Sequence, residues 1–385
     1  MAGMGWDLIG HDWAADMLRQ QIAADRLRHA YLFSGPQGVG RRTLALNFAQ
    51  AINCPTPTAP GVPCGTCRTC MQIARMQQPD LSYLYPKADT DVLELKDVHD
   101  LQYMFSLALP IIPGGSLKAD QVQNPQQAVS MAIAESLKID QIRDIQHPLS
   151  LAPYESPYRL ALLMQMEKAT DEAQSALLKT LEEPNSRVIL LLTADDPENL
   201  LPTIVSRCEV LRLRTQPLDK LAEDLAEKKG LDAEKANLIA HISGGRPGYA
   251  IRLAEEDYLM TMREAWVDDF LEMLSGKKRI RLSFYEKKFA KSIKRYEVKF
   301  ILRDGLAHWL SMWRDVMLVA SGNEIPLTNL DHEAQINSIA SEVSGNEAAF
   351  YIEQLEHALQ RLTGANLKLM LEALLLDWPE LNLNK

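Results

Sequence analysis

The chain has 385 residues, more than a single hydrophobic core usually holds, so the sequence predicts two or three domains. Its 46% of hydrophobic and 24% of charged residues are typical of a globular protein, and no apolar stretch reaches the ~18 residues of a membrane span. The formal net charge of −10 argues against a surface that binds nucleic acid along its whole extent. Because no basic and then apolar leader pattern opens the sequence, we expect a cytoplasmic protein with no membrane partner.

A glycine-rich turn lies between a strand pattern and a helix pattern near the start of the chain. Residues 31–33 form a short apolar run, and apolar residues recur at helical spacing from Leu44 onward. The turn between them has the glycine frame of a phosphate-binding loop, in which backbone N–H groups wrap phosphate oxygens. The glycines of this frame are Gly35, Gly38 and Gly40.

The reactive positions of that loop differ from the pattern GxxxxGK[ST]. Arg41 stands where the lysine is expected, and Arg42 stands where a hydroxyl residue would bind Mg²⁺. Arginine is a bulkier, planar cation that does not replace a compact ammonium group at a phosphate. Thr43 comes one residue too late for the magnesium position. We therefore expect ATP binding at this loop to be weak or absent and hydrolysis to be inefficient.

Four of the five cysteines lie within seventeen residues, at Cys54, Cys64, Cys67 and Cys70. A CxxC step lets two sulfurs face one ion, and four thiolates close a tetrahedral shell, so the spacing predicts a structural Zn²⁺ site with no open position for water. An iron–sulfur centre is the open alternative, because CxxCxxC also occurs in such sites. We favour zinc because no other feature of the chain indicates electron transfer.

The middle of the chain predicts an α/β domain interrupted by an insertion. Residues 86–138 are rich in Pro, Gly and Gln, which predicts a loop insertion with a short helix near residues 97–105. The apolar runs at residues 159–166 and 187–194 predict strands buried on both faces, with a helix between them. Strands that alternate with helices predict a doubly wound parallel sheet, which we expect to end near Arg214.

Two features of this domain bear on nucleotide chemistry. The acidic pair that holds Mg²⁺ and polarises the attacking water should end the first of these strands, but Met164 and Gln165 occupy its positions. Glu167 lies two or three residues further on. Arg207, in the sequence Ser-Arg-Cys, is an always-charged group that could reach a neighbour's γ-phosphate. Three residues alone do not distinguish this role from that of an ordinary surface arginine.

Helical patterns replace strand patterns beyond Pro217. After a core domain of residues 1–214, we expect a small helical lid at 215–257 and an antiparallel helical bundle at 258–385. Residues 271–303 contain eleven Lys/Arg and only three Asp/Glu. This run predicts a solvated helix face in preference to a surface that contacts DNA.

In combination, these motifs resemble the AAA+ clamp-loader family of bacterial DNA polymerase III. The segments that carry the resemblance are IGHDWAADMLRQQI, LRHAYLFSGPQGVG, ALLKTLEEP, LLPTIVSRC, NLKLMLEALLLD and the four-cysteine insert. They cover most of the chain except residues 86–138. Within the family the chain is most similar to the delta-prime group, because the motor subunits gamma and tau keep the Lys-Thr and the acidic pair that are absent here.

The resemblance implies an AAA+ core that carries the zinc insert at 54–70, followed by a helical lid and an all-helical collar, in a hetero-pentameric ring. The implied partners are gamma or tau, delta, the sliding clamp and primed DNA, at the replisome on the nucleoid. The chain would have no ATPase activity of its own within the polymerase holoenzyme.

The resemblance also implies roles for individual residues. Arg207 would act in trans on ATP that a neighbouring motor holds. Thr193 matches the polar residue that reads the phosphate state in motors. Gly248 stands where motors have an arginine that senses the γ-phosphate, and Arg246 lies two residues before it.

Two other functions stay open from the sequence. In the first, the chain is an active motor in which Arg41 works and Glu167 serves as the acid. In the second, it is a zinc-containing DNA-binding protein unrelated to replication, which uses the basic stretch from Lys277 to Lys299.

Overall fold

The computed structural model describes residues 6, 8–86, 136–289, 295–362 and 364–383. The chain divides into two compact units, Met1–Leu231 with Gly245–Ile251 and Asp232–Gly244 with Arg252–Lys385. In the described ranges, no helix is both long and apolar enough to cross a membrane.

Two expectations about organisation are left open by this division. The three domains expected at 1–214, 215–257 and 258–385 stay a prediction. The expected insertion at 86–138, with its short helix near 97–105, falls almost entirely outside the described residues.

The first unit is built on a parallel sheet. Its described strands are β1 (Ala30–Ser34), β2 (Leu81–Leu84), β3 (Arg159–Leu163), β4 (Val188–Ala194) and β5 (Glu209–Arg212). They lie in the order β2-β3-β4-β1-β5, and every pairing is parallel. All residues of β1, β3 and β4 are buried, as expected for strands covered on both faces. The predicted α/β fold, with a doubly wound parallel sheet, is confirmed.

Helices connect these strands. They are α1 (Asp12–Ala23), α2 (Arg41–Asn53), α3 (Arg68–Ala74), α4 (Ile139–Ser150), α5 (Asp171–Glu182), α6 (Pro202–Val205) and α7 (Leu218–Lys229). Helix α5 begins where the Thr170 side chain accepts a hydrogen bond from the N–H of Ala173 at 3.3 Å. Leu177 and Leu181 of α5 are buried in one core cluster with residues of α4, β3 and β4.

A buried carboxylate organises the loop that leads into β3. Asp80 is fully buried, and its oxygens accept hydrogen bonds from the N–H groups of Tyr154 (2.6 Å), Glu155 (2.9 Å) and Ser156 (2.9 Å). The guanidinium of Arg159 lies 3.4 Å from the same carboxylate. Burial raises the pKa of Asp80, but these backbone hydrogen bonds more than offset it, so the net pKa lies below its usual value.

The second unit is helical. Its helices are α8 (Ala233–Ile242), α9 (Pro247–Glu255, which begins in the first unit), α10 (Asp257–Ser275), α11 (Lys278–Phe289), α12 (Arg295–Ala320), α13 (Glu333–Glu342), α14 (Gly345–Arg361) and α15 (Leu367–Leu376). Tryptophans fill the core of this unit. The ring of Trp309 lies 5.6 Å from that of Trp266 and 5.2 Å from that of Trp378, both edge-on. The predicted all-helical C-terminal region is confirmed.

The basic stretch at 271–303 differs in part from the predicted solvated face. Arg281 is buried and donates hydrogen bonds to the carbonyls of Met273 (2.7 Å) and Leu375 (3.2 Å), which lie near the ends of α10 and α15. Lys288 pairs with Asp269 and lies 4.4 Å above the Trp266 ring. These two cations therefore stabilise the helical unit instead of facing solvent.

Replacing Asp80 by Asn should lower the free energy of unfolding at pH 7 by about 2–4 kcal/mol, because the amide cannot accept three N–H bonds and Arg159 loses its counter-charge. A depressed carboxyl pKa stabilises the fold above the ordinary value of 3.8 and ceases to do so as pH falls through the folded value. The difference between the two proteins should therefore shrink in strong acid.

Urea unfolding of both proteins between pH 3 and pH 7 measures this difference. The matched control is Glu227→Gln, a charge removal at an exposed position, which should change the stability by less than about 0.5 kcal/mol. Equal stability of Asp80→Asn and the unmodified chain at pH 7 would contradict the role of Asp80.

Candidate functional site

The glycine frame of the phosphate loop is present between β1 and α2. Gly35, Gly38 and Gly40 have φ angles of 144°, 83° and 109°, in the region that side chains other than glycine rarely adopt. At Gly35 the chain passes so close to the end of the sheet that an added Cβ would lie 2.2 Å from the Leu213 carbonyl oxygen. The backbone at these positions therefore requires glycine, and phosphate binding by the loop stays a prediction.

Two acids of the protein lie near the cation of this loop. Arg41 opens α2, and its Nη1 is buried without a hydrogen-bond partner among the described residues. Burial lowers the pKa of Arg41, while the nearby carboxylates of Glu167 and Asp195 act in the opposite direction. Burial also raises the pKa of Glu167, against the effect of Arg41. Thr43, one turn into the same helix, is exposed.

The expected acid positions hold neutral groups. Met164 is buried directly after β3, and Gln165 follows with a φ of 57°. The Gln165 N–H donates to the hydroxyl of Thr193 at 3.1 Å, so Thr193 joins the ends of β3 and β4. Neither residue 164 nor residue 165 supplies the carboxylate that a magnesium ion needs.

The first turn of α9 lies directly on the phosphate loop. The N–H of Tyr249 donates to the carbonyl of Gly38 at 2.9 Å, and a Cβ added to Gly248 would lie 2.8 Å from the same oxygen. Glycine at 248 is therefore what permits this close approach of two backbones. Arg246 donates to the Gln37 carbonyl at 3.5 Å and lies 4.8 Å from the centre of the Tyr249 ring.

The four clustered cysteines come together around the start of α3. The sulfurs of Cys54, Cys64, Cys67 and Cys70 all lie within 4.8 Å of one another, and those of Cys64 and Cys70 are 4.0 Å apart. A tetrahedron with Zn–S bonds of ~2.3 Å has edges of about 3.8 Å, so the donor set fits a four-coordinate ion.

Hydrogen bonds to sulfur accompany this arrangement. The N–H of Cys64 donates to the Cys54 sulfur at 3.4 Å, and that of Cys67 donates to the Cys64 sulfur at 3.3 Å. Bonds from the Thr56 hydroxyl and the Cys67 N–H lower the pKa of Cys64 to about 5, whereas burial raises the pKa of Cys67 and that of Cys70. Donors directed at a sulfur favour its thiolate form, which is the form that binds metal.

Arg207 lies between α6 and β5, with its side chain one-third exposed. Its Nη2 is 2.9 Å from the Glu182 carboxylate, and its Nη1 donates to the Thr203 carbonyl at 2.9 Å. The neighbouring thiol of Cys208 packs against the core of the sheet, and burial raises its pKa to about 12. Cys208 is thus a packing residue.

Three functional contacts were not predicted from the sequence. They are the Asp195 carboxylate near Arg41, the Glu182 partner of Arg207, and the docking of Tyr249 on Gly38. A signal existed for Asp195, because it follows the buried β4 and carboxyl ends of parallel strands meet at one edge. A signal for Glu182 was its negative charge at the carboxyl end of a helix, where the helix dipole favours cations.

The family described as "DNA polymerase III, delta subunit" matches residues 10–217, and "DNA polymerase III, delta subunit, C terminal" matches residues 297–380. DNA polymerase III subunit delta' of Bacillus subtilis is 28% identical over 366 residues, which cover 94% of each chain.

Two further relatives cover less of the chain. The delta' subunit of Pseudomonas aeruginosa is 28% identical over 247 residues, 63% of this chain and 61% of the relative. DNA polymerase III subunit tau of Escherichia coli is 26% identical over 220 residues, 57% of this chain and 27% of the relative. Because one family covers more than half of the chain and a delta' subunit matches nearly all of it, the chain belongs to the DNA polymerase III delta-subunit family.

Proposed function

We propose that this chain is a stator-like, non-hydrolysing subunit of a DNA polymerase III clamp loader, which helps to load the sliding clamp onto primed DNA. Its partners would be gamma or tau motors and delta in a hetero-pentamer, acting on the clamp and on primer-template DNA at the cytoplasmic replisome on the nucleoid. Its three parts would be the core at 1–214, the lid at 215–257 and the collar at 258–385.

The contact of α9 with the phosphate loop carries this proposal. A motor must admit a triphosphate to the loop, yet here the Gly38 carbonyl is bonded to Tyr249 and the backbone of Gly248 lies against the loop. The loop also lacks a lysine, and residues 164 and 165 lack the carboxylates for Mg²⁺. These features favour a subunit that contributes Arg207 to a neighbour's ATP and does not turn over its own.

One observation favours an active motor as the second candidate. Arg41, Glu167 and Asp195 lie close enough to influence one another's charge, so an acid and a cation do exist beside the loop. In this alternative Glu167 would replace the missing acidic pair.

The isolated chain should neither hydrolyse ATP nor bind it with a micromolar dissociation constant, because the first turn of α9 covers the loop and the loop lacks a lysine. A fluorescent-nucleotide titration and a steady-state phosphate-release assay measure both properties, with a gamma/tau subunit as the active control. Turnover that disappears in Arg41→Ala would establish the motor alternative and overturn the proposal.

Within a reconstituted clamp loader, Arg207→Ala should slow hydrolysis at the one neighbouring site by about 10³-fold, because the charge on the transferring phosphoryl group loses its stabilisation. The steady-state rate of the whole complex should then fall by that site's share. The mass of the intact assembly should not change, since the exposed pair with Glu182 contributes at most about 1 kcal/mol. Arg212→Ala, another exposed arginine of the same region, is the control and should leave the rate unchanged.

For the four cysteines we propose a structural Zn²⁺. Elemental analysis of the purified chain should find about one zinc per chain, lost in Cys70→Ser and retained in Cys208→Ser, because only the former removes a ligand. Chelation should lower the melting temperature of the unmodified chain. If anaerobically purified protein contains iron and absorbs visible light, the four cysteines hold an iron–sulfur centre and not zinc.

A further inference from the structure

The guanidinium of Arg207 is held at two points by the chain that carries it. Glu182 accepts a hydrogen bond from Nη2 at 2.9 Å, and the Thr203 carbonyl accepts one from Nη1 at 2.9 Å. An arginine side chain has five N–H donors, so these two bonds leave three for another acceptor. With a third of the side chain exposed, those donors can meet a ligand from outside the chain.

Both ends of this arrangement stand on rigid structure. Glu182 is the last residue of α5, whose Leu181 is buried in the sheet core, and the N–H of Leu201, just before α6, donates to the Gln174 side chain of α5 at 2.8 Å. Cys208, directly after Arg207, packs on the same core. The helix with the carboxylate and the turn with the arginine are therefore tied together independently of the ion pair.

The position of Glu182 does not stabilise helix α5. A carboxylate in the last turn faces the negative end of the helix dipole, where lysine or arginine would be favourable. Exposed ion pairs also add little to folding stability. What the pair does accomplish is to restrict the rotamers of a long side chain that would otherwise sample many directions.

We propose that Glu182 is a positioning residue for Arg207, which pre-orients the guanidinium toward a neighbour's phosphoryl group; this rests on the proposed role of Arg207 in trans. Three N–H donors of Arg207 take no part in these two bonds. Phosphoryl oxygens can therefore bind those donors without first breaking the ion pair with Glu182. Pre-orientation removes part of the ordering cost when the transition state forms.

The test uses the full chain in a reconstituted clamp loader with its gamma/tau and delta partners. In single-turnover measurements Glu182→Ala should lower kcat at the neighbouring site by about three- to tenfold, the cost of ordering one free side chain, with KM for ATP and the assembly mass unchanged. Glu182→Gln keeps an acceptor and should recover part of the loss. Glu183→Ala removes an adjacent exposed carboxylate and is the matched control, with unchanged kcat.

The Arg207→Ala background separates the two proposals. Adding Glu182→Ala there should have no further effect, because the residue acts only through Arg207. An equal loss from Glu182→Ala in both backgrounds, no loss in the unmodified background, or a gain in kcat would each overturn the positioning role while leaving Arg207 in place. An Arg207→Ala variant with full activity would instead remove the proposed function itself.

Discussion

The carboxyl ends of β1, β3 and β4 lie side by side at one edge of the parallel sheet, and the candidate site depends on that alignment. The register pairs Phe33 of β1 with Thr193 of β4, and Leu192 of β4 with Leu163 of β3. A slip of one residue would turn the side chains of a strand to the opposite face, which strands in so closely packed a core cannot tolerate. The packing of apolar side chains therefore sets where the loop, the Gln165–Thr193 hydrogen bond and Asp195 meet.

The cation at this edge has acids of the same chain near it. A phosphate loop normally matches its cation with phosphate oxygens. Here Arg41 has the carboxylates of Glu167 and Asp195 near it, and the carbonyl of Gly38 is bonded to the first turn of α9. The glycines thus maintain the turn, while the Gly38 carbonyl is bonded within the protein. A subunit of this kind suits a role in which chemistry takes place at a neighbour, as we propose.

The two polar clusters away from the loop resemble each other in their physical logic. Asp80 satisfies three backbone N–H groups of the loop before β3, and the cysteine sulfurs accept backbone N–H groups around α3. In both, an anion or potential anion orders a segment that has few apolar side chains to bury. In the helical unit the charges are reversed, because the buried cation Arg281 donates to carbonyls at helix ends. In each cluster, directed hydrogen bonds hold together a segment that apolar packing alone does not.

The sequence alone determined the features that depend on local pattern: the buried strands, the glycine turn with Arg41 in place of lysine, the helical second half and the grouped cysteines. Such features follow from residue spacing, because strand and helix periods and turn conformations are properties of short segments. Only the tertiary structure decided which distant groups meet, as with Asp195 beside Arg41, Glu182 beside Arg207 and Tyr249 on Gly38. Those pairs join residues 25 to more than 200 positions apart, and the packing of helices onto the sheet brings them together. The burial of Arg281 was likewise decided by the tertiary structure, because only the packed fold places the carbonyls of two helix ends around this residue of a basic run.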